Sequence, residues 1–240
     1  MCRLDDIVVV LDLDDTLYNE MEYVLSGIRA VTAQINAIYN RTLNTELVDA
    51  YQGGNRDIWG YACSLLGLPM QTKESFLWMY RLHVPTIAMR PEVIAWLDNL
   101  KMASAQLAIL TDGRSVSQRL KLASLGLADL PVYVSEEHGS EKPSPDRFHE
   151  IMRRWPGKSY AYIGDNPRKD FIAPNHLGWL TVGLIDTGIN IHPQRKELER
   201  DHAPRYWVDK LEHAQTYLFA WVDGERQIHS TAGSRAAFAN

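Results

Sequence analysis

Three aspartates close the apolar run "VVVLDLDDTL", Val8 to Leu17: Asp12, Asp14 and Asp15 follow directly on β-branched and aliphatic residues. Carboxylates crowded at the end of a buried segment repel one another, so they must face water or converge on a cation. Two more strand-like stretches end the same way. "QLAILTD" closes on Thr111 and Asp112, and "SYAYIGD" on Asp165, with Asp170 following in "NPRKD". Lys142, in "GSEKPSPDRF", lies in a loop from which its ammonium could balance the acids and hold a phosphate oxygen. Thr111 and the amides of Asp112 and Gly113 add uncharged donors, and Gly113 allows close backbone approach. Carboxylates with no His or Cys cluster beside them suit a hard dication such as Mg²⁺ and disfavour zinc. Each stretch alone is an ordinary strand end, turn, surface lysine or helix start (with Asp165 as cap and Pro167 in the first turn). Their force lies in the combination.

These groups act together only if the elements carrying them bring them to one place. "IVVVLDL" reads as a short strand buried on both faces. From Asn19 to Ala88 apolar residues recur at helical spacing in "MEYVLSGIRAVTAQINAIYN", "NRDIWGYACSLLGL" and "KESFLWMYRLH", with Asn55 and Thr72 as caps. From Arg90 the rhythm changes. Helix "RPEVIAWLDNLKMA", strand "QLAILTD", helix "SVSQRLKLASLGL", strand "PVYVSEE", helix "SPDRFHEIMRRW", strand "SYAYIGD", helix "PRKDFIAPNHLG" and strand "WLTVGLI" alternate. Pro91 and Pro145 stand at first helical positions, and Ser144 reads as a cap. Such alternation predicts a parallel sheet with right-handed crossovers, and "RYWVDKLEHAQTYLFAW" adds an edge strand and a closing helix. The expected fold is α/β: a Rossmann-like parallel sheet core over residues 1–18 and 89–222, an inserted all-helical domain at 19–88, and a loose tail at 223–240. Ligands of such a sheet bind at the carboxyl ends of its strands, where Asp12, Asp14, Thr111, Asp112 and Asp165 all fall.

Composition narrows the partners. Over 240 residues, a hydrophobic share of 45% and a charged share of 23% match an ordinary globular chain. A formal net charge of −5 gives no basic footprint for nucleic acid or an anionic membrane. No apolar run approaches the roughly 18 residues of a membrane-spanning helix, and the opening residues lack the basic start and longer apolar stretch of a secretory signal. Two cysteines, Cys2 and Cys63, do not make a disulfide framework. These features predict a cytoplasmic protein; the pattern sets no oligomeric state.

Taken in order, Asp12-Leu13-Asp14-Asp15-Thr16-Leu17, then Thr111-Asp112-Gly113, Lys142, and Gly164-Asp165 with Asp170 resemble the four motifs of the haloacid dehalogenase (HAD) superfamily. The likeness spans Ile7 to Ile185, and the helical insert resembles the C1-type cap of that superfamily. Position by position, the resemblance makes Asp12 the nucleophile that becomes a phosphoaspartyl intermediate and Asp14 the general acid/base. It makes Thr111 and Lys142 phosphate-positioning residues. It makes Asp12, the backbone carbonyl of Asp14 and Asp165 the Mg²⁺ ligands, supported by Asp170. The dehalogenases of the superfamily lack the acid matching Asp14, and mutases of the β-phosphoglucomutase type usually carry Gly-Val where this chain has Asp15-Thr16-Leu17. The implied activity is therefore Mg²⁺-dependent hydrolysis of a small organic phosphomonoester, a sugar phosphate or a nucleoside monophosphate.

Two other readings share the scaffold: a phosphotransferase or mutase, and a catalytically idle HAD-like binding protein. Response-regulator receivers also combine an acidic pocket, a threonine and a lysine, but their phosphoacceptor follows the third strand. "GGN" in "AYQGGNRDIW" joins two helices of the insert, and caps of this family often present such a loop to the active site. Asn55, Arg56 or Trp59 is thus expected to contact substrate. The eight histidines are scattered and carry no assignment, and the aromatics of "SFLWMYRLH" read as cap core.

Overall fold

Val8, Val9 and Val10 are wholly buried in β1 (Ile7–Leu11), as a continuous β-branched run requires when both sheet faces are covered. The computed structural model describes residues 4–194 and 198–224. β1 pairs in parallel with β2 (Gln106–Thr111) on one side and β4 (Ser159–Gly164) on the other. With β3 (Val132–Val134), β5 (Leu180–Leu184) and β6 (Tyr206–Val208) they form a parallel six-stranded sheet of order β3-β2-β1-β4-β5-β6. The chain moves outward from β1 to β3, then restarts on the far side of β1 at β4. Strand order therefore reverses between β1 and β4, the place where open α/β sheets leave a crevice beyond their carboxyl ends. Asp12 follows one of these strands and Asp165 the other.

Two compact units make up the chain. One is helical and joins Glu20–Ala88 to Arg114–Ala128. It contains α1 (Glu20–Tyr39), α2 (Asn44–Gln52), α3 (Ile58–Leu66) and α4 (Lys73–Leu82). Val24, Ile28, Val31 and Ile35 are buried at alternating four- and three-residue spacing, which is the inward stripe of α1. The other unit takes up the rest of the described chain and includes α5 (Pro91–Met102). α6 (Ser115–Ser124) follows β2 and falls within the range expected for the sheet core, yet it clusters with the helical unit. The Ser117 hydroxyl donates to the Arg81 carbonyl at 3.3 Å, and the Lys121 ammonium lies 4.2 Å from the centre of the Tyr23 ring. The sheet unit also carries α7 (Ser135–His138), α8 (Asp146–Arg154), α9 (Ile172–His176) and α10 (214–224). Val8, Val10, Leu110, Tyr162, Phe148 and Phe171 belong to its buried cluster.

Several boundaries differ from the sequence expectation. The cap of α3 is Asp57, whose carboxylate accepts from the Gly60 amide at 3.2 Å; Asn55 instead accepts from the Asp57 amide at 2.8 Å. Thr72 stands at the cap position of α4 without a side-chain cap bond. α8 starts one residue later than expected, although the Ser144 hydroxyl donates to Asp146 Oδ2 at 2.8 Å. α9 begins only at Ile172, because the chain before it turns back on itself: Asp170 Oδ2 accepts from the Asn166 amide at 2.8 Å. Asp223 and Gly224, the first residues of the expected tail, are helical in α10; residues 225–240, and Cys2, lie outside the described residues. Among the described residues no helix is long and apolar enough to cross a membrane.

Candidate active site

The Asp12 amide donates to the Ile163 carbonyl at 2.9 Å, carrying the β1–β4 ladder one residue past the strand. A tight turn follows, closed by the Leu17 amide on the Leu13 carbonyl at 3.0 Å and anchored by the buried side chains of both leucines. Asp15 takes φ 54°, a left-handed conformation that a short polar side chain tolerates. The Tyr18 hydroxyl donates to the Asp14 carboxylate, which restrains the side chain matched to acid/base chemistry.

Asp12, Asp165 and Asp170 each place an oxygen within 4.8 Å of the others, and all three are buried. Lys142 reaches this group from the loop after α7. Its ammonium lies 2.8 Å from Asp12 Oδ1 and 2.7 Å from Asp170 Oδ1, and donates to the Tyr162 hydroxyl at 3.0 Å. Gly164 is required by close approach, since a Cβ there would lie 2.5 Å from Asp170 Oδ2. The Thr16 hydroxyl donates to Asp165 Oδ1 at 3.4 Å, and the Asn190 amide group donates to Asp165 Oδ2 at 2.8 Å.

The charges do not balance. Burial pushes Asp12 up to about 6, against the pull of Lys142. Burial also pushes Asp165 well above the carboxylate range, and the charges of Asp170 and Asp12 push the same way. Lys142 stays protonated although burial opposes it, because Asp12 and Asp170 outweigh the burial and raise it well above its usual value. Three carboxylates around one ammonium thus leave room for further positive charge. An oxygen-only, buried donor set of this size fits Mg²⁺.

Beside this cluster, Asp112 organises a second group. Arg147, wholly buried, donates to Asp112 Oδ1 at 2.5 Å and to the carbonyls of Thr111 and Tyr133 at 2.8 and 3.1 Å. Lys169 approaches Asp112 Oδ2 at 3.2 Å, and the Lys142 amide donates to Asp112 Oδ1 at 3.2 Å. Burial raises the Asp112 pKa, but Lys142, Lys169 and Arg147 together hold it below the usual range. Its carboxylate thus holds the backbone of Lys142. The Gly113 amide, expected as a free donor, is taken by Ser135 Oγ at 2.9 Å. Thr111 is buried at the end of β2.

The three expected cap contacts lie in the helical unit. Arg56 is exposed, stacks on Tyr51 at 4.7 Å and donates to the Tyr51 carbonyl at 3.5 Å. Asn55 is exposed, whereas Trp59 is buried against Tyr80 with ring centres 5.5 Å apart. Sequence reasoning missed Tyr162, Arg147, Lys169, Asn190 and Gln194. Arg147 had a signal: it stands four residues before the buried Ile151 on the inward face of α8. Lys169 adjoins Asp170, and Tyr162 alternates with Tyr160 on one face of β4. Nothing local marks Asn190 or Gln194.

Comparison with known proteins agrees with this geometry. Residues 8–178 match the family model of haloacid dehalogenase-like hydrolases. A glyceraldehyde 3-phosphate phosphatase of Methanocaldococcus jannaschii is 28% identical over 218 residues, 85% of this chain and 93% of that one. That of Methanopyrus kandleri is 30% identical over 192 residues, 73% of this chain and 82% of its own. The pyrimidine 5'-nucleotidase YjjG of Escherichia coli is 24% identical over 231 residues, 88% and 96% of the two chains. The fold is shared with YfnB of Bacillus subtilis, solved bound to magnesium, at a TM-score of 0.60 and 22% identity over 90% of this chain and 98% of that one. Its motifs, its sheet order and the family match lead to one conclusion: the chain belongs to the haloacid dehalogenase-like hydrolases.

Proposed function

We propose that this protein is a Mg²⁺-dependent phosphatase that hydrolyses a small organic phosphomonoester through a phosphoaspartyl intermediate on Asp12. The observation that carries this reading is the Asp12–Lys142 contact of 2.8 Å beside Asp165 and Asp170, all buried together. Relatives named as phosphatases of glyceraldehyde 3-phosphate and pyrimidine 5'-nucleotides support it. The substrate class is a sugar phosphate or a nucleoside monophosphate. We take residues 19–88 as the cap, Arg56 as a substrate contact, and the cytoplasm as the compartment, with Cys63 a buried free thiol in keeping with the last.

Asp12, the Asp14 carbonyl and Asp165 would hold the metal, with Asp170 supporting. Bound Mg²⁺ supplies positive charge against a phosphate dianion that would otherwise repel Asp12. Lys142 adds a fixed ammonium, and Thr111 orients a phosphate oxygen. An Asp12 oxygen attacks phosphorus opposite the ester oxygen; the new O–P bond forms as the ester P–O bond breaks. The departing alcohol takes a proton from Asp14. Asp14 then accepts a proton from the water that attacks the acyl phosphate, inorganic phosphate leaves, and the Asp12 carboxylate returns.

A screen of phosphorylated metabolites with Mg²⁺, scored by phosphate release, tests the reading. We expect inorganic phosphate and free alcohol in equal amounts, and a fall of about 10³-fold or more in Asp12→Asn. Substantial turnover by that variant would overturn the mechanism. Transfer of the phosphoryl group to a second alcohol would favour a phosphotransferase. Arg56→Ala is expected to raise KM; an unchanged KM for every substrate removes Arg56 from the site.

A further inference from the structure

The connection that leaves β5 for β6 is fastened to the acidic edge at several points. Asp186 Oδ1 accepts from the amides of Gly188, Ile189 and Asn190 at 2.7, 3.1 and 3.2 Å, which folds the chain back after the strand. The Ile191 amide then donates to Asp15 Oδ2 at 2.9 Å. Gln194 donates to the carbonyls of Asp165 and Leu184 at 2.6 and 2.7 Å and accepts from the Asp186 amide at 3.0 Å. Between these anchors, Asn190 directs its side chain at Asp165 Oδ2 at 2.8 Å.

Asp165 needs such a partner. It is buried beside Asp12 and Asp170, with no cation in direct contact among the described residues, so the orientation of its carboxylate depends on hydrogen bonds. Thr16 restrains Oδ1 only at 3.4 Å. Asn190 makes the shorter bond, and it does so with a neutral donor. A lysine at that place would neutralise Asp165 and compete with a metal; an amide orients the carboxylate and leaves its charge for the ion.

We infer that Asn190 is a positioning residue for the metal edge, holding Asp165 in the orientation in which it binds a divalent cation. The inference rests on the proposed metal role of Asp12 and Asp165. The Asn190 backbone bond to Asp186, and the Ile191 and Gln194 contacts, do not involve the Asn190 side chain, so truncating it leaves the strap attached.

Calorimetric titration of Mg²⁺ into the full chain, wild type against Asn190→Ala, well below the melting temperature, tests this. Melting of both proteins without divalent ions is measured alongside. We expect the Mg²⁺ Kd of the variant to rise about tenfold, with the metal-free melting temperature little changed. A rise of about threefold or more supports the inference, and a smaller one overturns it whether or not the melting temperature moves, because a merely structural role lowers stability without moving Kd. Asn190→Ser is titrated likewise if the alanine variant does not fold. Absence of Mg²⁺ binding by the wild type would overturn the metal reading and this inference with it; intact wild-type binding with an unaltered variant would overturn the inference alone.

Discussion

The sheet unit and the helical unit place their polar side chains by opposite means. At the sheet edge, charged groups are fixed by backbone at strand ends and by one another: Lys142 sits between Asp12 and Asp170, and Asp112 between Arg147 and Lys169. In the helical unit, polar groups are packed among rings. Tyr23 and Tyr80 meet edge to face at 5.3 Å, His83 lies 5.0 Å from Tyr23, and Lys121 rides over the same ring. The first arrangement concentrates unbalanced charge where a sheet leaves a crevice. The second is a packed core with polar rims, sensitive to volume. Substitutions at the sheet edge should therefore act through charge, and those among the rings of the helical unit through volume.

The largest effect expected in the sheet unit is on activity. Lys142→Met keeps length but leaves Asp12 and Asp170 without their ammonium, and phosphate release should fall about 10³-fold. A loss under tenfold would show that this ion pair is dispensable. Next, Arg147→Met strips the buried Asp112 carboxylate of its nearest cation and frees two carbonyls; urea unfolding should register about 3 kcal/mol of lost stability. Retained stability would mean that Lys169 and Lys142 support Asp112 without Arg147.

Within the ring cluster of the helical unit the expected losses are smaller and structural. At Gly27 an added Cβ would lie 2.2 Å from the Tyr80 ring, which is itself held by Tyr23 and Trp59. Gly27→Ala should cost about 2 kcal/mol in the same unfolding assay, and a neutral result would show that the ring cluster yields easily.

The smallest effect is a pH dependence. Burial lowers the His83 pKa below its ordinary 6.5, helped by Lys121 and Arg29 and opposed by the bond to the Tyr80 carbonyl. The folded state thus keeps His83 neutral while the unfolded chain takes the proton first. The stability this contributes is present above about 6.5 and is lost as pH falls through the lower folded value. His83→Phe keeps a ring against Tyr23 and Tyr80, so its urea midpoint should fall less than that of the wild type as the solution is acidified. Parallel pH profiles would remove His83 as a source of acid sensitivity.

Much of the sheet unit is legible in the residues. Continuous apolar runs marked the buried strands, Pro91 marked the start of α5, and the acids at the ends of β1 and β4 fell beside one another once the strand order was known. The short α9 was not legible: the run after Asp165 has helical periodicity, but the contact of Asp170 with the Asn166 amide delays the helix. The place of α6 was also hidden, since a helix after a strand reads as a crossover whichever unit its buried face meets.

Local order fixed which residues end the strands and hence which carboxylates could gather, because side-chain periodicity and chain punctuation act over a few neighbours. The tertiary structure alone decided what surrounds them. Arg147 under Asp112, Tyr162 beside Lys142 and Asn190 on Asp165 are contacts across 20 to 35 residues of chain, where only packing sets the distance. Burial, which shifts the charge balance of Asp12 and Asp165, is likewise a property of the assembled sheet and of no single segment.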